Sequence, residues 1–303
     1  MVGGRKPMKI LQEKTPEYWE RAWQQAHTHS LYARKRRDLE QLNYWSAMAG
    51  FFSNTAKKKQ GKKRPQKVLS WLEQEGVWQP GMEILDIGAG AGNFTIPMAK
   101  KAAHVTALEP APAMLSVLQK NVRDEELNNV QYVDQEWEAV DPRQMGIQGS
   151  FDLVFASLTP GIKDVETLQK MCHCSRDWCF LCDFAGSRFF PGREELWQLI
   201  FKEKMPLPGH DIIYPFNYLY WSGYMPSIKV WLDVRDQEMS VEEARASFEE
   251  YFFSYTELTP EIKNTIRNYV QEHSDSGIYQ EINRIRLGMI LWQVNAGWQQ
   301  GPK

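Results

Sequence analysis

The segment Glu83-Ile84-Leu85-Asp86-Ile87-Gly88-Ala89-Gly90-Ala91-Gly92-Asn93-Phe94-Thr95 has the spacing of a ligand-binding turn. Glycines after a strand allow a tight turn and let a ligand approach the backbone closely. In an open α/β sheet, ligands bind at that carboxyl edge. The following helix adds unpaired N–H groups at its start. The spacing is G-x-G-x-G, and Asn93 stands where a dinucleotide motif has its third glycine. That argues against NAD, and a nicotinamide enzyme stays a minor alternative. Glu109 lies 21 residues beyond Gly88, at the end of the next strand. A carboxylate there can accept ribose hydroxyls through charge-assisted bonds of roughly 1.5–3 kcal/mol each.

The elements needed to position these residues follow in order. Met82–Ile87 reads as a strand, Asn93–Lys101 as a helix, His104–Leu108 as a strand and Pro112–Asn121 as a helix. Val130–Val133, Phe151–Leu158 and Trp178–Phe184 read as further strands, the second nearly all apolar as in a strand covered on both faces. This alternation predicts a mostly parallel sheet with right-handed crossovers. Helices are expected at Glu194–Lys204, after Ser240 with its capping box to Glu243, and after Thr259-Pro260. Ile228–Val234 and Arg284–Gln293 read as strands, and 206–226 as a loop-rich aromatic insertion.

Before this pattern, Thr15-Pro16-Glu17 opens a helix, a second is expected over Leu31–Phe52, and a basic loop at 57–64 precedes one that Pro65 starts. The expected division is a helical cap with its basic loop over 1–64 and an α/β domain over 65–303.

Taken together, the motifs resemble those of class I S-adenosylmethionine-dependent methyltransferases, well over residues 65–185 and in outline beyond. Asp86, Gly88, Ala89, Gly90, Gly92 and Asn93 lie in the family's first motif, whose loop wraps the amino-acid part of the cofactor. Glu109-Pro110 and Met114-Leu115 resemble the second, the acid holding the ribose and the apolar residue flanking adenine. Glu136-Trp137 corresponds to the pair near the adenine amine, with Glu in place of the commoner Asp. Phe151–Ser157 resembles the fourth strand, whose end, Ser157, faces the transferring methyl. The resemblance implies an open, mostly parallel, seven-stranded Rossmann-like sheet with an antiparallel last strand, to which the residue pattern adds an N-terminal helical cap and an insertion after strand five. It also implies S-adenosylmethionine as cofactor and S-adenosylhomocysteine as product.

The acceptor is less legible. Methyl transfer is an in-line displacement that needs a base only when the acceptor must lose a proton, and no catalytic residue stands out. Ser157-Leu158-Thr159-Pro160 lacks the Asn/Asp-Pro-Pro-Tyr/Phe of relatives that methylate base amines. A small-molecule acceptor is the leading expectation. RNA or protein substrates, or a non-catalytic cofactor-binding scaffold, are the alternatives. Tyr44, Trp45, Tyr218 and Tyr224 are the substrate-side candidates, from an aromatic set that is as well explained by packing between lid and domain.

Charge is uneven. Residues 1–70 hold sixteen Lys/Arg against five Asp/Glu, and the remainder twenty against thirty-three. A uniformly basic nucleic-acid binder is excluded, while the basic N-terminal region could attract RNA or an acidic protein. Export-signal and membrane-spanning patterns are absent, so no membrane partner and a cytoplasmic location are expected. Cys172, Cys174, Cys179 and Cys182 are clustered. Cys179 and Cys182 fall three apart on one strand, so they should point to opposite faces and read as buried thiols, with no metal site.

Overall fold

The computed structural model describes residues 15–28, 30–34, 59–209 and 211–295. Strands β1 (Glu83–Ile87), β2 (His104–Leu108), β3 (Val130–Val133), β4 (Phe151–Ser157) and β5 (Ser175–Phe184) pair in parallel in the order β3-β2-β1-β4-β5. β6 (Ser227–Ser240), the two-residue β7 (Ser274–Asp275) and β8 (Ile278–Gln293) complete the sheet. β8 runs against both β5 and β6 and lies between them, so the strand order ends β5-β8-β6. The sheet is therefore mixed, correcting the expectation of a mostly parallel one. The cause is local. The chain leaves β6 at Ser240 and returns to β8 at Ile278, its direct register partner. A connection that starts and finishes at the same end of a strand can only pair antiparallel.

Two layers of helix bury the sheet. α2 (Lys59–Gln74) and α3 (Thr95–Ala99) place Val68, Trp71, Leu72 and Met98 on Ile84, Leu153, Phe155 and Phe180. On this face Phe94, Phe155 and Phe180 follow one another with 4.7 Å between successive ring centroids. α1 (Pro16–Thr28), α5 (Val165–Cys174) and α7 (Ile213–Trp221) cover the other face, with Trp23, Leu168, Met171 and Tyr218 over Leu85, Val154, Leu181 and Trp292. Each such side chain contributes roughly 1.5–3 kcal/mol by leaving water. α4 (Pro112–Asp124) packs Leu118 and Val122 on Ala89 and Ala107.

Beyond the end of β5, β6 and β8 continue together as a ribbon, from Leu232↔Arg286 to Ser240↔Ile278, with β7 pairing on β8 at its far end. α6 (Pro191–Phe201), α8 (Val241–Phe253) and α9 (Pro260–Glu272) gather there into a separate core of Leu196, Trp197, Phe248, Phe252, Ile266 and Tyr279. Ser240 and Glu243 form both bonds of the capping box, and Thr259 accepts from the Ile262 N–H.

Several boundaries differ from the sequence reading. α2 begins at Lys59, so the described part of the basic loop is helical and Pro65 sits inside the helix. The span 206–226 contains α7, and α5 was not anticipated. The expected Leu31–Phe52 helix lies outside the described residues except at 31–34, where Tyr32–Arg34 forms one 3-10 turn. Cys179 and Cys182 join the cores on opposite faces, and all four cysteines are free thiols. Among the described residues, no three or more His, Cys, Asp or Glu side chains gather to hold a metal. Nor is any helix among them long and apolar enough to cross a membrane.

Candidate cofactor and acceptor site

Strand order reverses between β1 and β4, which opens a crevice at their carboxyl ends. Register fixes what meets there. Ile87 pairs with both Leu108 and Ala156. The next residues along each strand, Gly88, Glu109 and Ser157, therefore stand level on the same edge.

The glycine loop is held by its backbone. Gly88 and Ala89 both donate to the Leu108 carbonyl, at 2.8 and 3.0 Å. Gly88, Gly90 and Gly92 take φ of +72°, +56° and +91°, a region that side chains rarely adopt. At Gly88 a Cβ would lie 2.2 Å from Thr159 Oγ1, so the loop after β4 closes directly on the glycine backbone. Leu158 makes that closure by adopting φ +53°, at a cost of about 1–3 kcal/mol for a non-glycine residue.

Asp86 lies under the loop, 2% exposed, and accepts from the Thr95 hydroxyl at 2.6 Å. Burial pushes its carboxyl up to about 7, the Thr95 bond opposing and nearby Glu109 adding to the rise. This bond ties the start of α3 to the carboxyl end of β1. Glu109 is 7% exposed and accepts from Ala111 N at 2.9 Å and Gly90 N at 2.8 Å. Burial raises its pKa, while those two N–H groups pull it down. Each carboxylate oxygen spends one lone-pair direction on the backbone and keeps another for a donor.

The other expected cofactor residues are placed as follows. Ala89 and Met114 are buried, Asn93 and Pro110 half-buried, and Glu136 is exposed. Trp137 is 1% exposed and its Nε1 donates to the Thr167 carbonyl at 3.0 Å, so its ring fills the core beneath α5. Lys170 Nζ donates to the Trp137 and Glu138 carbonyls and locks this turn.

Of the substrate-side candidates, Tyr44 and Trp45 lie outside the described residues. The Tyr218 hydroxyl accepts from Gln169 Nε2, and Tyr224 is half-buried against the same core. The structure also brings forward residues that sequence reasoning missed. Ser157 pairs with Cys182, which sets Asp183 and Phe184 just beyond it on the neighbouring strand. Burial pushes Asp183 up to about 6. Arg188 lies 3.3 Å from the Phe184 ring centroid, and burial pulls its guanidinium down to about 10, with Asp183 and Asp211 opposing. The one available signal was position: Asp183 and Phe184 close the fifth strand.

Residues 84–177 match a family described as a methyltransferase domain. The chain is 36% identical over 87 residues to the 23S rRNA (uracil(1939)-C(5))-methyltransferase RlmD of Klebsiella pneumoniae, and 32% identical over 87 residues to RlmD of Edwardsiella ictaluri. Each match covers 29% of this chain and 19% of the relative, so the chain spans about a fifth of those proteins' length. The solved YcgJ protein of Bacillus subtilis superposes with a TM-score of 0.51 at 12% identity, covering 75% of this chain and 98% of that one. The likeness to YcgJ is one of fold.

Proposed function

We infer that this chain, whose residues 84–177 match a methyltransferase domain and whose sheet has the class I S-adenosylmethionine-dependent form, is a methyltransferase. The observation that carries the reading is Glu109, buried at the edge of the glycine loop with both carboxylate oxygens oriented by backbone N–H groups. The residues fit an adenosyl cofactor. Gly88, Gly90 and Gly92 leave the loop backbone bare, and Glu109 can accept ribose hydroxyls. Met114 offers an apolar flank for adenine, and Ser157 stands level with the loop on β4. When bound, S-adenosylmethionine supplies an electrophilic methyl on a sulfonium.

The chain's own residues orient and enclose. The Asp86–Thr95 bond holds the loop's shape, and Thr159 shuts the space behind Gly88. A small-molecule acceptor is the reading we favour. It is supported by the groups beside the carboxyl edge, where Arg188 is within electrostatic reach of Asp183, of Asp211 before α7, and of Tyr251 and Tyr255 of the α6–α8–α9 core. We assign the segment through residue 64 and the 206–226 insertion to the acceptor side as well. In support, α1 packs along α7, and Ser30 meets Gly209. An RNA acceptor is the second reading, favoured by the RlmD likeness and the basic N-terminal region.

Transfer of labelled methyl from S-adenosylmethionine into a fractionated cell extract tests both. Label in the small-molecule fraction is expected. Label confined to RNA would replace the first reading by the second, and no label despite cofactor binding would leave a binding protein.

A further inference from the structure

β6 forms one edge of the sheet, and among the described residues it pairs only with β8. Its alternation is inverted relative to an ordinary edge strand. Ile228, Val230, Leu232 and Val234 point outward and are 36, 53, 54 and 50% exposed. The opposite face bears Lys229, Trp231, Asp233 and Arg235. That polar face lies toward α2, with Lys67 Nζ 5.3 Å from the Trp231 ring centroid and Lys229 Nζ 3.4 Å from Glu75. A long edge strand with a continuous apolar stripe invites pairing, and folds that remain monomeric blunt such edges with charge, proline or a covering element.

We propose that β6 is the seam of a symmetric homodimer, paired antiparallel with β6 of a second copy about a two-fold axis at Trp231. The sequence of the strand selects the occupant and the register. Centred on Trp231, the pairing sets Ile228 opposite Val234 and Val230 opposite Leu232. It also sets Lys229 opposite Asp233, and symmetry makes every pair twice. Centring on Leu232 would oppose Lys229 to Arg235 and Ile228 to Asp236. Centring on Asp233 would oppose that carboxylate to itself. The strand is complementary in shape and charge to its own reverse.

α7 fits the same arrangement. Ile212 packs on Gly288 of β8, next to β6, and Tyr218 faces α5. Ile213 and Tyr220, seven apart on the side of α7 away from Tyr218, are 43 and 59% exposed. In the dimer the two β8 strands stand three strand spacings apart, about 14 Å. Side chains from two helices can roof that gap over the merged stripe, since packed helices themselves lie roughly 8–10 Å apart.

Sedimentation equilibrium of the full chain tests this, with a mass of twice 35.3 kDa expected. Lys229→Asp or Asp233→Lys alone places like charges across the seam and should raise the dimer dissociation constant about tenfold. The double variant K229D/D233K should restore it. Circular dichroism of each variant reports on the fold. Should a charge variant fail to fold, Trp231→Cys decides, because each cysteine then faces its symmetry mate and mild oxidation should link two chains. A monomeric wild type, a dimer indifferent to the single reversals, a double variant that does not recover, or an unlinked W231C would overturn the proposal.

Discussion

The half of the sheet through β1, β2 and β3 and the half through β5, β8 and β6 hold their polar groups in different ways. In the first, most bonds go to backbone, Glu109 to Gly90 and Ala111 and Gly88 and Ala89 to Leu108, with the Asp86–Thr95 side-chain bond beneath them. In the second, charge is set among side chains and rings, with Arg188 over Phe184 and Arg193 over Phe190 and Tyr251. Such a geometry needs only a few glycines and two acids to be specified. A side-chain setting depends on every neighbour in its core, and so can be altered without touching the loop.

The sharpest way to break this division is to damage one half and read the other. Phe252 is fully buried in the α6–α8–α9 core, and Phe252→Ala should cost about 4 kcal/mol in denaturant unfolding. Calorimetric affinity for S-adenosylhomocysteine should stay within about twofold if the halves are independent. A matching loss of affinity would show them coupled.

The next effect belongs to the cofactor half. Asp86 has a folded-state pKa of about 7 against an ordinary 3.8. The folded protein therefore holds this proton more tightly than the unfolded chain, and stability is lost as pH rises between those values. The loss should be about 3 kcal/mol from pH 4 to pH 7, with little change above. Asp183, raised to about 6, acts in the same direction. The stability difference between Asp86→Asn and the wild type should grow in the variant's favour over that window. A difference that is flat with pH would remove the charge from the argument.

Glu109→Ala should weaken S-adenosylhomocysteine binding about a hundredfold through loss of charge-assisted bonds, read by calorimetry. Unchanged affinity would sink its ribose role. The smallest effect is expected for Thr95→Val, about 1–2 kcal/mol of stability, since one bond to a buried carboxyl is lost and the helix start is freed.

The same contrast governs how much could be read in advance. β2 and β3 match their sequence ranges because short runs with Val, Thr and Tyr, residues that favour strands, leave little choice. The caps at Ser240 and Thr259 carry their own hydrogen-bonding side chains. α5 escaped notice because it passes from Cys174 directly into β5 at Ser175, with no glycine or proline to mark the change. α7 reads Ile-Tyr-Pro-Phe-Asn-Tyr-Leu-Tyr-Trp, a poor helix former on its own. Its helix is imposed by packing Pro215, Tyr218 and Leu219 against the sheet. β6 was expected to stop at Val234 because Arg235-Asp236-Gln237-Glu238 is polar on both faces, yet ladder pairing with β8 carries it to Ser240. At the site, the glycine loop and Glu109 were legible as local spacing. Asp183 and Phe184 come beside Ser157, with Arg188 over the Phe184 ring, only once β5 is laid beside β4.

The pairing of Ser240 with Ile278 has an evolutionary side. The chain between them, with α8 and α9, departs and re-enters at adjacent points, so a tight turn of two residues could join the strands in its place. Such a segment can be lengthened, trimmed or exchanged by a single recombination event without disturbing any other strand order. The ribbon is thus a mount that can carry helical roofs of different size while the order of the strands beneath stays the same.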